Sequence, residues 1–396
     1  MPTYGAPSVM FVRGEGSRLW DAAGNEYLDM LSGLAVTSLG HSHPVVADAL
    51  ATQARRLLHV SNLFGTEHNA AVASTLDRLL GGGGQVFFAN SGAEANEAAI
   101  KLARRFGGRG RHVVVSAFGS FHGRSLATLH ATGQPAKHEV FQPLPEGFRH
   151  AAWADAHDLE RQIDDTVAAV LLEAVQGEGG VNPAPPDYLR AVRRMCDQRG
   201  ILLMFDEVQT GLGRCGEWFA HQASGVRPDV VTMAKALGNG VPIGACWARA
   251  EVASVFEPGD HATTFGGQPL ATAAARAVLE VMESEQVPQR AARAGSRLTD
   301  ALSGIPGVAS VRGMGLLLAV ELELTDGRGA GDVVTELLTG KHGARVVANA
   351  VTPTALRLAP SLLISDEEIH EATEAIAAAL CSGVPPQGVP PQGRGT

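Results

Sequence analysis

Between residues 85 and 248 the sequence alternates short runs that are apolar throughout with stretches whose apolar residues recur at helical spacing. The runs are Gln85–Ala89, His112–Ala117, Val167–Leu172, Ile201–Phe205, Asp229–Met233 and Ile243–Ala248. Helical patterns such as Glu94–Phe106 and Tyr188–Gln198 lie between several of them. A strand that is apolar on both faces needs cover on both, and intervening helices supply it. The pattern predicts an α/β fold with a mainly parallel sheet.

The flanking parts follow other rules. The segment up to Pro44 is rich in Gly, with short strand-like pieces joined by a turn at Trp20–Asn25, and Pro44–Leu58 has a helical pattern. After Pro269 an Ala-rich helix is expected over Leu270–Glu283, then strand-like pieces at Leu316–Leu322 and Leu356–Leu358. A last helix opens with Ser365 and Glu368, a capping box, and sets Ile369, Ala372, Ile376 and Leu380 on one face. These pieces predict a smaller α+β domain. The tail carries Val-Pro-Pro-Gln-Gly twice, from Val384 to Gly393, and its prolines predict an extended, flexible stretch. The expected organisation is an N-terminal segment (1–45) joining the small domain, a large domain (46–270), a C-terminal small domain (271–382) and the tail (383–396).

Composition narrows the class of function. The chain has 396 residues, 45% of them hydrophobic and 18% charged, which excludes a disordered chain. Its net charge of −9 makes it a poor partner for nucleic acid or an anionic membrane. Its apolar runs are far shorter than the ~18 residues of a membrane span. The opening Met1–Gly5 has no basic region followed by an apolar stretch, so no signal peptide is expected. Cys196, Cys215, Cys246 and Cys381 are widely separated and form no CxxC pair, which argues against a disulfide framework or a thiolate metal site and fits a reducing cytoplasm. No metal site is expected.

Five places carry residues suited to chemistry. After Gln85–Ala89 come Ser91, Gly92, Ala93 and Glu94, a second capping box that opens a helix. A helix start at the carboxyl edge of a sheet offers free N–H groups to a phosphate, although any capped helix has the same signature. Ile201–Phe205 delivers Asp206 and Glu207 to that same edge, where ligands of open α/β sheets bind. An acid there needs a partner. A magnesium-binding acid would want a GxxxxGK[ST] loop, and the chain has none.

Lys235 stands between an apolar strand and the glycine-rich turn Gly238–Gly240. Desolvation would turn it into a nucleophile; a lysine that snorkels to the surface reads the same in sequence. Phe121, His122 and Arg124 follow another strand end and can stack on a ring and hold a carboxylate, or simply pack and face water. Arg357 alternates with Leu356 and Leu358, so it needs an acid, an anionic ligand or an edge position facing solvent. Gly211–Gly216 matches the dinucleotide fingerprint GxGxxG. Its first glycine should follow a strand directly, but Asp206–Thr210 intervenes and brings negative charge next to a pyrophosphate.

The order of these signals is that of a pyridoxal-phosphate site. The chain resembles the class III (subgroup II) pyridoxal-phosphate-dependent aminotransferases, and within them the acetylornithine aminotransferases, from about Tyr4 to Leu380. The resemblance is carried by Gly33–Val36 with Leu39–Pro44, Asn90–Glu97, Phe121–Arg124, Gln176–Gly180, Asp206–Gly211, Ala234–Lys235, Thr264–Gly267 and Leu356–Pro360.

The resemblance implies the fold type I of pyridoxal-phosphate-dependent transferases and a cytoplasmic homodimer with shared active sites. It implies transfer of the terminal amine of N2-acetyl-L-ornithine to 2-oxoglutarate, a step of arginine biosynthesis. By the same resemblance Lys235 carries the cofactor as a Schiff base and Asp206 pairs with the pyridine nitrogen. Phe121 and Val208 sandwich the ring, Gln209 reaches its phenolic oxygen, and His122 belongs with the cofactor-binding residues. Ser91, Gly92 and Ala93 hold the phosphate, and Thr264 does so for the partner subunit. Arg124 and Arg357 hold substrate carboxylates, and Glu178 neutralises Arg357 when none is present.

Three residues depart from the family's habit: Ala174 for Pro, Asn239 for Gly and Gln268 for Asn. Leu34 and Gly65 stand where ornithine aminotransferases carry tyrosines, which argues against free ornithine and leaves room for an acyl group. The alternatives are another terminal amine (succinyl-diaminopimelate, succinylornithine, 4-aminobutyrate or ornithine), a nucleotide-binding oxidoreductase resting on Gly211–Gly216, and a non-catalytic binding relative.

Overall fold

A computed structural model describes residues 1–381. The repeated Pro-rich tail lies outside the described residues. The centre of the molecule is a seven-stranded sheet of β1 (Gly84–Ala89), β2 (Val113–Ala117), β3 (Phe148–Ala151), β4 (Val167–Leu172), β5 (Leu202–Asp206), β6 (Val230–Met233) and β7 (Gly244–Arg249). The spatial order is β1-β7-β6-β5-β4-β2-β3. Neighbours from β6 to β3 are parallel; β7 runs antiparallel to both β6 and β1. The mainly parallel α/β sheet expected from the sequence is therefore present. Every residue of β2, β4, β5 and β6 is buried, which is why those runs are apolar on both faces. The edge strand β3, Phe-Arg-His-Ala, is only partly buried and lacked a recognisable apolar run.

Helices form where the punctuation says they should. Helix α1 (Pro44–Arg56) has proline at its first position. Helix α2 (Gly92–Gly107) is capped by Ser91, whose Oγ accepts the Glu94 N–H at 3.2 Å. The second arm of that capping box goes elsewhere: Glu94 Oε2 accepts from Asn90, from its N–H at 2.9 Å and its amide at 2.7 Å. Helix α3 (Pro186–Arg199) ends on Gly200 in the left-handed conformation, φ 60°.

Helix α4 (Pro269–Ser284) is capped by Gln268, whose side chain accepts the Leu270 N–H at 2.8 Å. It packs against α1 and the turn that carries Lys235. The capping box of helix α5 (Asp366–Cys381) is complete: Glu368 N–H reaches Ser365 Oγ at 3.2 Å, and Ser365 N–H reaches Glu368 Oε2 at 2.9 Å.

A second, antiparallel sheet follows in the chain: β8 (Val308–Met314), β9 (Leu317–Leu322), β10 (Asn349–Ala350) and β11 (Ala355–Leu358), in the order β8-β9-β11-β10. The N-terminal strands Phe11–Glu15, Arg18–Asp21 and Glu26–Asp29 form a third sheet, completed by Val346–Val347 alongside Glu26–Asp29. Arg18 grips Glu371 of α5 through two bonds of 2.8 and 2.6 Å.

The loop Gly211–Gly216 is part of this scaffold. Arg214 is fully buried and donates to Leu316 O (3.0 Å), Pro360 O (2.6 Å) and Ser38 Oγ (3.2 Å). It ties the loop after β5 to the N-terminal segment and to both flanks of the second sheet. Burial pushes its guanidinium down to about 10. No helix starts at these glycines, so the fingerprint match is a structural turn and not a phosphate loop.

Candidate active site

The carboxyl ends of β1, β2, β4, β5 and β6 lie along one edge of the central sheet, and each brings side chains for chemistry at its end or within a few residues of it: Ser91, Phe121–Arg124, Glu173, Asp206 and Lys235. They surround a cavity of about 390 Å³. Ser91, Gly92, Ala93, Phe121, His122, Arg124, Glu178, Asp206, Val208, Gln209 and Lys235 all line it.

Asp206 is anchored on three sides. Its Oδ2 accepts from the Asn96 amide at 2.8 Å and meets His122 Nδ1 at 2.9 Å, and its Oδ1 accepts the Val208 N–H at 3.0 Å. Asn96 is fixed in turn: it donates to His122 O at 2.8 Å and accepts from Thr232 Oγ1 at 2.6 Å. A buried carboxylate held this way keeps one orientation. Glu207, next in the chain, points to the opposite side, as strand alternation requires. It accepts from Ala220 N–H (3.1 Å), His221 N–H (2.9 Å) and the Thr210 hydroxyl, and meets His221 Nδ1 at 2.9 Å. Only the first of the two adjacent acids serves the cavity.

Lys235 sits in the left-handed region with φ 41°, an unusual conformation for a residue with a Cβ and one that clusters at functional sites. The side chain is half-buried and lines the cavity, so the surface-snorkelling alternative falls. Burial pushes its ammonium down to about 8; Arg357 adds to the effect, while Glu178, Asp206 and Glu173 oppose it. A lysine there exchanges protons near neutrality and is a competent nucleophile when neutral.

Arg357 is 1% exposed on β11, which lies between β9 and β10, so it is not an edge arginine facing water. Its Nη1 reaches Glu178 Oε1 at 2.5 Å, and its Nε donates to Asn349 Oδ1 at 3.1 Å. Burial would raise the Glu178 carboxyl, but Arg357, Lys235 and the Gln209 amide outweigh it and hold it below the ordinary glutamate value. Arg124 is exposed, with its guanidinium 5.6 Å from the centre of the Phe121 ring.

The start of α2 forms the other wall. The first N–H groups of a helix have no intrahelical acceptor. A Cβ on Gly92 would lie 2.6 Å from Val208 Cγ1, and one on Gly123 would lie 2.6 Å from Thr128 Oγ1 and 2.9 Å from Ala93 Cβ. Glycine at both positions lets the Val208 and Phe121–Arg124 loops close on the helix start. Free helix-start donors, an oriented carboxylate and a lysine of lowered basicity are the three contacts that a phosphate, a pyridine nitrogen and an aldehyde require. The residues fit pyridoxal phosphate.

Two expected site residues are not in the lining: Arg357 stands behind Glu178 and Gln209 and is bonded to both, whereas Thr264 is placed elsewhere. It is exposed beside Phe265 and lines a different surface hollow, with Asn62 and Phe88. Two residues of the site escaped sequence reasoning. Glu173, 6% exposed, accepts the Phe121 N–H at 3.1 Å and the Gly177 N–H at 3.2 Å; burial and then the nearby Asp206 push its carboxyl well up. It ends β4 as Asp206 ends β5, so the strand-end rule had the signal. Asn96 is a lone amide among the alanines of α2, a weaker cue.

The departures from the family habit are accommodated. Asn239 adopts φ 46°, ψ 41°, a conformation natural to glycine, and spans to the N-terminal segment by accepting from Leu39 N–H (2.8 Å) and donating to Gly40 O (3.1 Å). Gln268 still caps α4. Ala174 accepts the Ala184 N–H at 2.9 Å, and nothing in the structure explains the exchange of Pro for Ala.

Comparison with known proteins agrees with this geometry. The family model described as aminotransferase class-III matches residues 2–380. The acetylornithine aminotransferase of Corynebacterium efficiens is 48% identical over 390 residues, covering 96% of this chain and 94% of that one. That of Mycolicibacterium smegmatis is 44% identical, covering 96% and 95%. Among solved structures, the ornithine aminotransferase of Toxoplasma gondii, which contains pyridoxal phosphate at partial occupancy, superposes with a TM-score of 0.90 at 35% identity, covering 97% and 92%. The N-acetylornithine aminotransferase of Stenotrophomonas maltophilia does so with a TM-score of 0.82 at 36% identity, covering 95% and 96%. The oxidoreductase and non-catalytic alternatives are set aside: the chain belongs to the class III aminotransferases, enzymes whose cofactor is pyridoxal phosphate.

Proposed function

We propose that this enzyme transfers the terminal amine of N2-acetyl-L-ornithine to 2-oxoglutarate, giving N-acetyl-L-glutamate 5-semialdehyde and L-glutamate, in arginine biosynthesis. The names of relatives 44–48% identical to it support the reaction. The observation that carries it is the Glu178–Arg357 pair at the cavity, 2.5 Å long. A buried guanidinium without a counter-charge is costly. The acyl-ornithine presents an amine with no carboxylate beside it, so Glu178 stays on Arg357. Glutamate brings an α-carboxylate that takes Arg357 over. Arg124, at the exposed side of the cavity, holds the carboxylate farther from the reacting nitrogen in either case.

Pyridoxal phosphate, when bound, supplies an aldehyde for the substrate amine and a ring that accepts electrons. Asp206, oriented by Asn96, His122 and the Val208 N–H, holds the proton at the pyridine nitrogen. Phe121 and Val208, which line the cavity, would hold the ring, and Gln209 its phenolic oxygen. Ser91, Gly92 and Ala93 hold the phosphate at the helix start. With the cofactor bound, Lys235 Nζ, lowered to about 8, would be the group that moves the proton between the carbon bearing the amine and the aldehyde carbon.

The enzyme acts as a homodimer in which Thr264 completes the partner's phosphate site. Support comes from the apolar surface around Thr264, where Leu63, Phe64 and Phe265 are 84%, 68% and 60% exposed. The division at residues 45, 270 and 382, and the cytoplasmic location, belong to the same proposal. Three buried free thiols, Cys196, Cys215 and Cys246, suit a reducing compartment.

The test is the visible spectrum of the purified protein during addition of N-acetylornithine without an oxo acid. The band of the Lys235-bound cofactor should bleach, and 2-oxoglutarate should restore it. A band that bleaches only with ornithine, succinylornithine, succinyl-diaminopimelate or 4-aminobutyrate would move the assignment to that amine.

A further inference from the structure

Arg124 lines the active-site cavity, and Lys137, just outside its lining, shares with it the ring of Phe121, which does line it. Arg124 Cζ lies 5.6 Å and Lys137 Nζ 5.5 Å from the centre of the Phe121 ring. Among the described residues neither makes an ion pair with a carboxylate. Lys137 is half-buried, and its ammonium donates to the neutral amide oxygen of Gln134.

The turn carrying Lys137, Pro135–Lys137, is laced to the Phe121 loop at three points. Gln134 donates to Ser120 O at 2.9 Å, Gly133 N–H to Ser120 Oγ at 3.0 Å, and His122 N–H to Thr132 Oγ1 at 2.9 Å. The turn is therefore held at a fixed place relative to Phe121, and its lysine feels both Arg124 and Glu178. Burial and then Arg124 make it harder to keep charged, while Glu178 makes it easier. Two like charges fixed together destabilise each other, and an anion beside both removes that cost.

We infer that Lys137 is a specificity-determining residue that holds, together with Arg124, the substrate carboxylate farthest from the reacting nitrogen. The inference rests on the proposal that Arg124 takes that carboxylate. Arg124 offers a planar fork and Lys137 a point charge, so one carboxylate accepts from both. Substrates with a neutral distal end leave both cations unpaired and are rejected in both half-reactions.

The test uses the holoenzyme converted to its pyridoxamine form, with 2-oxoglutarate compared against pyruvate, which lacks the distal carboxylate. Lys137→Met should raise KM for 2-oxoglutarate about tenfold, with kcat kept within about twofold, the size of one lost bond to a charged group. Lys137→Gln should behave alike, and Lys137→Arg should recover most of the loss. The use of pyruvate should not change. An unaltered KM for 2-oxoglutarate, an equal loss with both oxo acids, or a wild type indifferent between them would each overturn the inference. Failure of N-acetylornithine as amine donor would strike the proposed substrate alone, because this half-reaction does not contain it.

Discussion

Glu178 and Arg357 form a closed pair whose two members are bridged by Gln209, 3.4 Å from Glu178 and 3.5 Å from Arg357. Removing the acid leaves a guanidinium side chain that is 2% exposed with no carboxylate. Glu178→Ala should slow the terminal-amine half-reaction by about tenfold or more relative to the glutamate half-reaction, whose substrate brings its own carboxylate. Stopped-flow measurement of each half-reaction checks this, and equal losses in both would refute the switch.

Lys235 should show its low basicity directly. Only the neutral amine attacks an aldehyde, and a lysine at about 8 loses its proton as pH rises through that value. The rate at which the apo-protein captures pyridoxal phosphate should rise through about pH 8 and level off above it. A lysine at its ordinary 10.5 would give a rate still climbing two units higher. Lys235→Ala should retain the fold and lose turnover.

Asn96 orients Asp206 without lining up as an obvious active-site residue. Asn96→Ala removes the 2.8 Å bond to Asp206 and the acceptor of Thr232. Cofactor retention, read as the dissociation constant after dialysis, should weaken by about tenfold, with the change in thermal midpoint of the apo-protein small by comparison.

Asn239 makes a backbone argument testable. Asn239→Ala loses both bonds to the Leu39–Gly40 stretch and places a Cβ-bearing residue without a local amide at φ 46°. It should cost about 2 kcal/mol in urea unfolding. Asn239→Gly loses the bonds but keeps the permitted conformation, so it should cost about half as much. The reverse order would show that the left-handed backbone does not decide the choice of residue here, because both variants lose the same side-chain bonds.

What could be read in advance, and what could not, follows from which forces are local. Ser91, Asp206 and Lys235 announce themselves because each ends an apolar run with a polar group, and a buried strand must shed such groups at its ends. Glu173 obeys the same rule at the end of β4 and was overlooked only because no second motif marked it. The direction of β7 was not legible, since a strand buried on both faces has the same composition whether parallel or antiparallel. The edge strand β3 needed little burial and so left no pattern. Asn96 meets Asp206 across 110 residues of sequence, a choice made by tertiary placement, and the Glu94 carboxylate accepts from Asn90 in place of the Ser91 N–H. Thr264 could be assigned to a site only through the family resemblance, because its own subunit places it outside the cavity.

The antiparallel course of β7 has a consequence for the order in which the site is assembled. Because β6 and β7 pair in opposite directions, with Val230 opposite Ala248 and Met233 opposite Ala245, the lysine turn between them closes as a short-range hairpin. Such contacts form early, since little loop entropy opposes them. The helix-start cradle is joined to that hairpin by β1, whose Ala89 pairs with Gly244 across a long stretch of chain. Contact order therefore favours formation of the lysine turn before the helix start is joined to it, and a cofactor that touches both would act as a clasp on that longer closure. Pyridoxal phosphate present during synthesis should therefore speed the final step of folding as well as equip the finished enzyme.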